Sequence, residues 1–191
     1  MCSSDLLTRL HRTAWTRVYF SIPFADEGMA RMMEPHAPSI SKRFETMKAL
    51  SDAGIQTGIS IAPVIPGLND EAMPELLERA WAAGSRTATF SLLRLPGSVE
   101  SVFLERIQEA FPDRFVKVTN RLREVRGGRL SESTFFERQH GAGTYWQMIE
   151  RLFELAKRRT GFDEAGEGLI QDTFRRPGGM QTAFFDGEEA G

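Results

Sequence analysis

The chain has 191 residues, with 24 Lys and Arg against 26 Asp and Glu, giving a formal net charge of −2. That length suits one domain able to bury about 70% of its unfolded surface, and the near balance of charge supplies no whole-chain field that would gather nucleic acid. The one cysteine, Cys2, excludes an internal disulfide framework and any site that needs several thiolates from this chain.

No apolar run reaches the roughly 18 residues that span a bilayer, and the start MCSSDLLTRLHRTAW lacks the apolar core of a secretory signal. The expectation is a cytoplasmic protein with no membrane partner. Residues 1–6 are expected to be a non-native leader, because CSSDL is one translation of the end of a common short-read sequencing adapter. Leu6 to Thr13 reads as a short helix whose start is cut off. Arg17 to Ile22 (RVYFSI) reads as a strand, and Asp26 can cap a short helix that Pro35 and Pro38 stop. Ser41 is expected to open the next helix, with Glu45 in its first turns, Phe44, Met47 and Leu50 on its buried stripe and Gly54 as its end.

The segment GIQTGISIAPVIPGLND, Gly54 to Asp70, carries the most information. Ile55, Ile59, Ile61, Val64 and Ile65 supply the β-branched bulk of a strand buried on both faces, as parallel strands under helices are. Pro63 and Pro66 then fix φ and remove two donors where the strand leaves the sheet, the end at which α/β folds bind ligands. Asn69 or Asp70 is expected to cap a helix carrying Met73, Leu76, Leu77, Ala80 and Trp81 and ending at Gly84. Thr87 to Leu93 is the third strand, Arg94 to Gly97 its exit loop, and Val99 to Phe111 a covering helix. From Pro112 the pattern turns helical, over Arg114 to Arg126 and again over Tyr145 to Thr160, joined by a polar connection. Residues 163–191 read as a loosely ordered tail. Strands alternating with helices imply an α/β fold with a parallel sheet.

Six segments in order, FSIPFAD, MEPHAPSISKRF, AGIQTGISIAPVIPGLND, LLRLPGSVESVFLERI, RGGRLSESTFFERQHGAGTYW and FRRPG, together resemble the C-terminal half of a radical S-adenosylmethionine protein group related to spore photoproduct lyase. The resemblance covers residues 7–178. It implies a partial (βα) barrel, with residues 7–111 its second half containing the fourth to sixth strands and residues 112–162 a C-terminal helical extension. It also implies S-adenosylmethionine and a [4Fe-4S] cluster in the intact protein, generating a 5′-deoxyadenosyl radical in lyase-like chemistry. The family's CxxxCxxC loop is absent here, so the chain alone is expected to be inactive, with the missing N-terminal half or partner strands supplying the rest. The substrate is open, nucleic acid included.

By the same resemblance, Ser21 matches a polar residue that bonds the adenosyl ribose, and Ala62 a small residue that lets the backbone approach the adenosyl group. Pro63 and Ile65, with Pro66 and Gly67, shape the adenine-facing loop, and Leu93 and Arg94 match the sixth strand's exit. Glu34 and Arg43, in the EPxxPSxxxR-like element, are expected to brace the pocket mouth as an ion pair. Plainer roles stand beside these: a backbone-satisfied serine, a core alanine, a rigid turn and a surface cation. Lys117, Arg121, Arg123, Arg126 and Arg129 form a basic face that either contacts phosphates or is simply solvated. His11, His36 and His140 show no metal-ligand spacing. Gly141 and Gly143 suit either an anion-holding helix start or close packing. Two other readings remain: a non-catalytic binding or scaffold domain of barrel origin, and a βα-barrel fragment that binds a phosphate.

Overall fold

The computed structural model describes residues 3–13, 15–130 and 140–162. Cys2, the FRRPG segment, the tail and residues 131–139 of the polar connection lie outside them. The described chain runs α1 (Ser3–Thr13), β1 (Arg17–Ser21), α2 (Glu27–Met33), α3 (Ile40–Asp52), β2 (Gln56–Val64), α4 (Met73–Ala82), β3 (Thr87–Leu92), α5 (Val99–Ala110), α6 (Pro112–Val125) and α7 (Gly143–Thr160). The first helix therefore starts at Ser3 rather than Leu6.

The expected α/β architecture is present. Among the described residues three strands form one open sheet in the order β1-β2-β3, and both pairings are parallel. Arg17 to Ser21 lies against Gln56 to Ser60, and Gly58 to Ile61 against Thr87 to Phe90. The β2 register then slips, so that Val64 opposes Leu92, leaving one extra residue on β2 at Ala62 and Pro63. Such a bulge bends a strand and re-aims its side chains. The Ala62–Pro63 peptide is cis.

Side chains alternate across a strand, and the two faces differ. Ile59 and Ile61 of β2 and Phe90 of β3 point into a core closed by α3 and α4, with α7 packed on α4. Phe90 meets Trp146 and Phe153 of α7 with ring centroids 5.6 and 4.5 Å apart. The opposite face is small and polar. In one row across it, Tyr19, Gly58 and Thr87 are neighbours, and a Cβ placed on Gly58 would lie 2.5 Å from both the Tyr19 ring and Thr87 Oγ1. Ser21 and Thr89 on this face are exposed, and Tyr19 is 46% exposed.

Helix ends depart from the sequence reading where distant residues intervene. Ser39, not Ser41, caps α3, its Oγ accepting from the Lys42 N–H at 3.2 Å. Ser41 instead donates its N–H and hydroxyl to Glu27 Oε1, at 2.9 and 3.0 Å, while Ile40 N–H donates to Glu27 Oε2. A carboxylate thus closes the start of α3, and the Ser41 N–H bond leads the interactions that hold Glu27 below the usual carboxylate range. Helix α6 begins at Pro112, ahead of Arg114, because proline at the first helical position forfeits no hydrogen bond. Gly141 meets Trp146 so closely that a Cβ would sit 2.7 Å from the indole, which fits the packing role for this glycine.

Candidate functional site

A cavity of about 200 Å³ opens at the C-terminal ends of the strands. Pro23 and Phe24 enter it from the β1 exit, Pro63 and Ile65 from the β2 exit, and Leu93 from the β3 exit. Phe103 of α5, with Met33 and Glu34 at the end of α2, completes the wall. Phe24 also borders a neighbouring cavity of about 300 Å³ that reaches Asp26, Asn69 and Glu75.

The loops that make this wall are held by two residues expected to be helix caps, and neither caps α4. No side chain caps that helix, which is entered through a 3-10 turn at Asp70–Ala72. Asn69, 3% exposed, accepts the Ile65 N–H on Oδ1 at 2.7 Å and donates from Nδ2 to the carbonyls of Pro23 and Pro63, at 2.8 and 3.0 Å. One amide thereby joins the β1 and β2 exits. Asp70, equally buried, accepts the Gly67 N–H on Oδ1 at 2.7 Å and the Tyr145 hydroxyl on Oδ2 at 2.5 Å. Gly67 has φ +83°, a backbone conformation that glycine adopts without penalty.

The helices after the sheet grip the same loops. Tyr145 anchors α7 to Asp70, and burial, reinforced by the Asp70 carboxylate, pushes the phenol's pKa well up. From α6, Arg114 donates to the Leu68 carbonyl at 3.3 Å. Arg126, 7% exposed, donates to the Leu93 carbonyl at 2.8 Å.

Of the residues singled out in the sequence, Glu34, Pro63, Ile65 and Leu93 share the cavity. Arg43 stands just behind, its guanidinium donating to Glu34 Oε2 at 2.8 Å, the Ser21 carbonyl at 2.8 Å and the Pro38 carbonyl at 2.9 Å. The expected ion pair is formed, with side-chain exposures of 12% for Arg43 and 30% for Glu34. Ser21 and Ala62 stand outside this cavity and meet each other: the Ser21 hydroxyl donates to the Ala62 carbonyl at 2.8 Å and keeps its acceptor lone pairs. Arg94 is exposed. Pro23, Phe24, Met33, Phe103, Asn69, Tyr145 and the buried role of Arg126 were not singled out as site features by the sequence.

The basic face is largely consumed within the fold. Lys117 pairs with Glu71 at 3.2 Å, Arg121 pairs with Glu124 and lies 4.0 Å over the Tyr145 ring, and Arg126 is inside. Arg123 and Arg129 are exposed. Among the described residues no group of three His, Cys, Asp or Glu is placed to hold a metal ion, and no helix is long and apolar enough to cross a membrane.

No family model matches the chain, and no solved structure matches it. It is similar to uncharacterized proteins of Mycobacterium bovis and of two strains of Mycobacterium tuberculosis, each 30% identical over 110 residues. That stretch is 56% of this chain and 31% of each relative, so the chain spans about a third of the length of the curated relatives it matches.

Proposed function

We propose that this chain is the adenosyl-holding part of a radical S-adenosylmethionine protein related to spore photoproduct lyase. The observation that carries the reading is the convergence of Glu34, Pro63, Ile65 and Leu93, distant in sequence and picked out by the resemblance, on one cavity at the ends of parallel strands. Proline, phenylalanine and aliphatic walls suit the faces of a purine. At about 200 Å³ the cavity is smaller than the roughly 300 Å³ at which sites for whole drug-sized ligands begin. It fits part of S-adenosylmethionine, with the remainder reaching past the strand tips toward Ser21 and the neighbouring cavity. In this reading β1, β2 and β3 are consecutive strands of a partial barrel, with further strands adding beyond β1.

A [4Fe-4S] cluster held by three thiolates does not fit this chain, whose one cysteine is Cys2. The radical-generating step, and any substrate, nucleic acid included, belong in this proposal to the whole protein. These residues bind and orient the nucleoside. The single cysteine equally favours a second reading, a non-catalytic binding or scaffold domain of barrel origin. An in-frame CxxxCxxC in the adjoining nucleotide sequence would decide for the enzyme.

Titration calorimetry of the chain with S-adenosylmethionine, S-adenosylhomocysteine and adenosine tests the binding. Saturable binding of all three, lost in a folded Ile65→Trp variant that fills the cavity, is the expected result. A folded chain that binds none of them overturns the proposal.

A further inference from the structure

We propose that the open carboxylate oxygen of Glu34 selects what enters the cavity, accepting a hydrogen bond from a neutral O–H or N–H of the ligand; the inference rests on the adenosyl reading above. At the strand tips the backbone groups of Pro23, Pro63, Ile65 and Leu93 that border the cavity already have partners. Pro23 and Pro63 have no N–H, and their carbonyls accept from Asn69 Nδ2. The Ile65 N–H is taken by Asn69 Oδ1. The Leu93 N–H bonds the Val64 carbonyl at 2.9 Å, and the Leu93 carbonyl accepts from Arg126. Even the Glu34 backbone is occupied, its N–H by the Ala30 carbonyl and its own carbonyl by the Ala37 N–H.

The Glu34 side chain is different. It is the one ionisable group in a wall otherwise built of Pro, Phe, Met, Ile and Leu. Arg43 holds Oε2 at 2.8 Å, while Oε1 has no partner among the described residues. Three donor contacts on Arg43, to Glu34, Ser21 and Pro38, fix the carboxylate before any ligand arrives, so little ordering remains to be done on binding.

Charge decides the class of donor. The pair is neutral overall, so a ligand cation at Oε1 would meet Arg43 as well as Glu34, and an anion would meet the carboxylate first. A neutral donor gains a charge-assisted hydrogen bond without either repulsion. Ribose hydroxyls and an exocyclic amine both present such a donor on a body that suits the apolar walls. A free phosphate does not.

The test is a ligand series on the 191-residue chain: adenosine, 2′,3′-dideoxyadenosine, which lacks the 2′ and 3′ hydroxyls that the contact would use, and purine riboside, which lacks the amine. Adenosine should bind about tenfold or more tightly than whichever analogue lacks the donor that meets Glu34. A hydroxyl contact shows as a loss with the dideoxynucleoside, an amine contact as a loss with purine riboside. In Glu34→Ala the discrimination between adenosine and the weaker analogue should vanish. Equal affinity for all three ligands in the wild-type chain, or unchanged discrimination in folded Glu34→Ala, overturns the role of Glu34 and leaves the adenosyl cavity standing. Absence of binding by every ligand overturns both. The wild-type series needs no variant, so a Glu34→Ala chain that fails to fold does not shelter the proposal.

Discussion

The side-chain amide of Asn69 donates to the carbonyl of Pro23, 46 residues earlier in the chain, at 2.8 Å. This bond, with the two the same amide makes to Pro63 and Ile65, fixes the distance between two strand exits. Asn69→Ala leaves three backbone groups without partners, two of them buried and one half-buried, and each buried one costs on the order of 1–3 kcal/mol before the loop relaxes. The expected outcome is a loss of about 3 kcal/mol or more in urea unfolding, together with loss of the nucleoside binding proposed for this cavity. Asn69→Asp keeps the acceptor for Ile65 but removes both donors, and should fall between wild type and the alanine variant.

Gly58 is held to a hydrogen by its neighbours on the open face. A Cβ there would lie 2.5 Å from the Tyr19 ring and from Thr87 Oγ1, so Gly58→Ala should destabilise by about 1–3 kcal/mol through overpacking. Tyr19→Ala removes one of the two obstacles. A double-mutant cycle should therefore show Gly58→Ala less costly in the Tyr19→Ala background.

Tyr145→Phe deletes the donor to a buried Asp70 oxygen and should cost about 1–3 kcal/mol near neutral pH. It should also change the alkaline limb. The folded protein binds the phenol proton more tightly than the unfolded chain does. The stabilisation is therefore fully present below the ordinary phenol value of 10.0 and is lost as pH rises above it. The difference in stability between wild type and Tyr145→Phe should shrink with rising pH in that range, as measured by denaturant midpoints.

Glu27 works in the opposite direction. Its carboxyl is held below the usual range by the N–H groups of Ser41 and Ile40, so its contribution is present above the unfolded value and disappears as pH falls through the folded one. Wild type should lose stability on acidification toward pH about 3 more steeply than Glu27→Gln. Helicity followed by circular dichroism across the acid range reads this directly. Parallel acid limbs for the two proteins would rule it out.

The order of strands and helices was legible because it depends on local signals: β-branched runs, helical spacing of Met47 and Leu50, and glycine stops at Gly54, Gly84 and Gly161. The cap of α3 was not. Two serines flank Ile40, and the choice between them was made by Glu27, which lies in the preceding helix and binds Ser41. Asn69 was misplaced for a related reason. An asparagine before an amphipathic helix looks like a cap, yet the nearby prolines supply carbonyls in a loop short of backbone donors, and a side-chain amide is what such a loop needs. That shortage is written in the two prolines of PVIPGLN. The positions of Arg126 and Tyr145 depend on how α6 and α7 return to the strand exits, which no local pattern encodes. Of the residues the resemblance singles out, Glu34, Pro63, Ile65 and Leu93 meet at one cavity, whereas Ser21, Ala62 and Arg94 do not line it.

Arg126, at the C-terminal end of α6, and Tyr145 of α7 reach back to Leu93 and Asp70, and this makes the polypeptide hard to shorten from its far end. Cutting it after α5 would strip a hydrogen-bond donor from one strand exit and from the buried carboxylate that fastens the other, while uncovering the Phe90 ring. A minimal fragment cut from this protein to test the proposed nucleoside site must keep the chain through Phe162, whose ring closes against Trp81 at 5.2 Å.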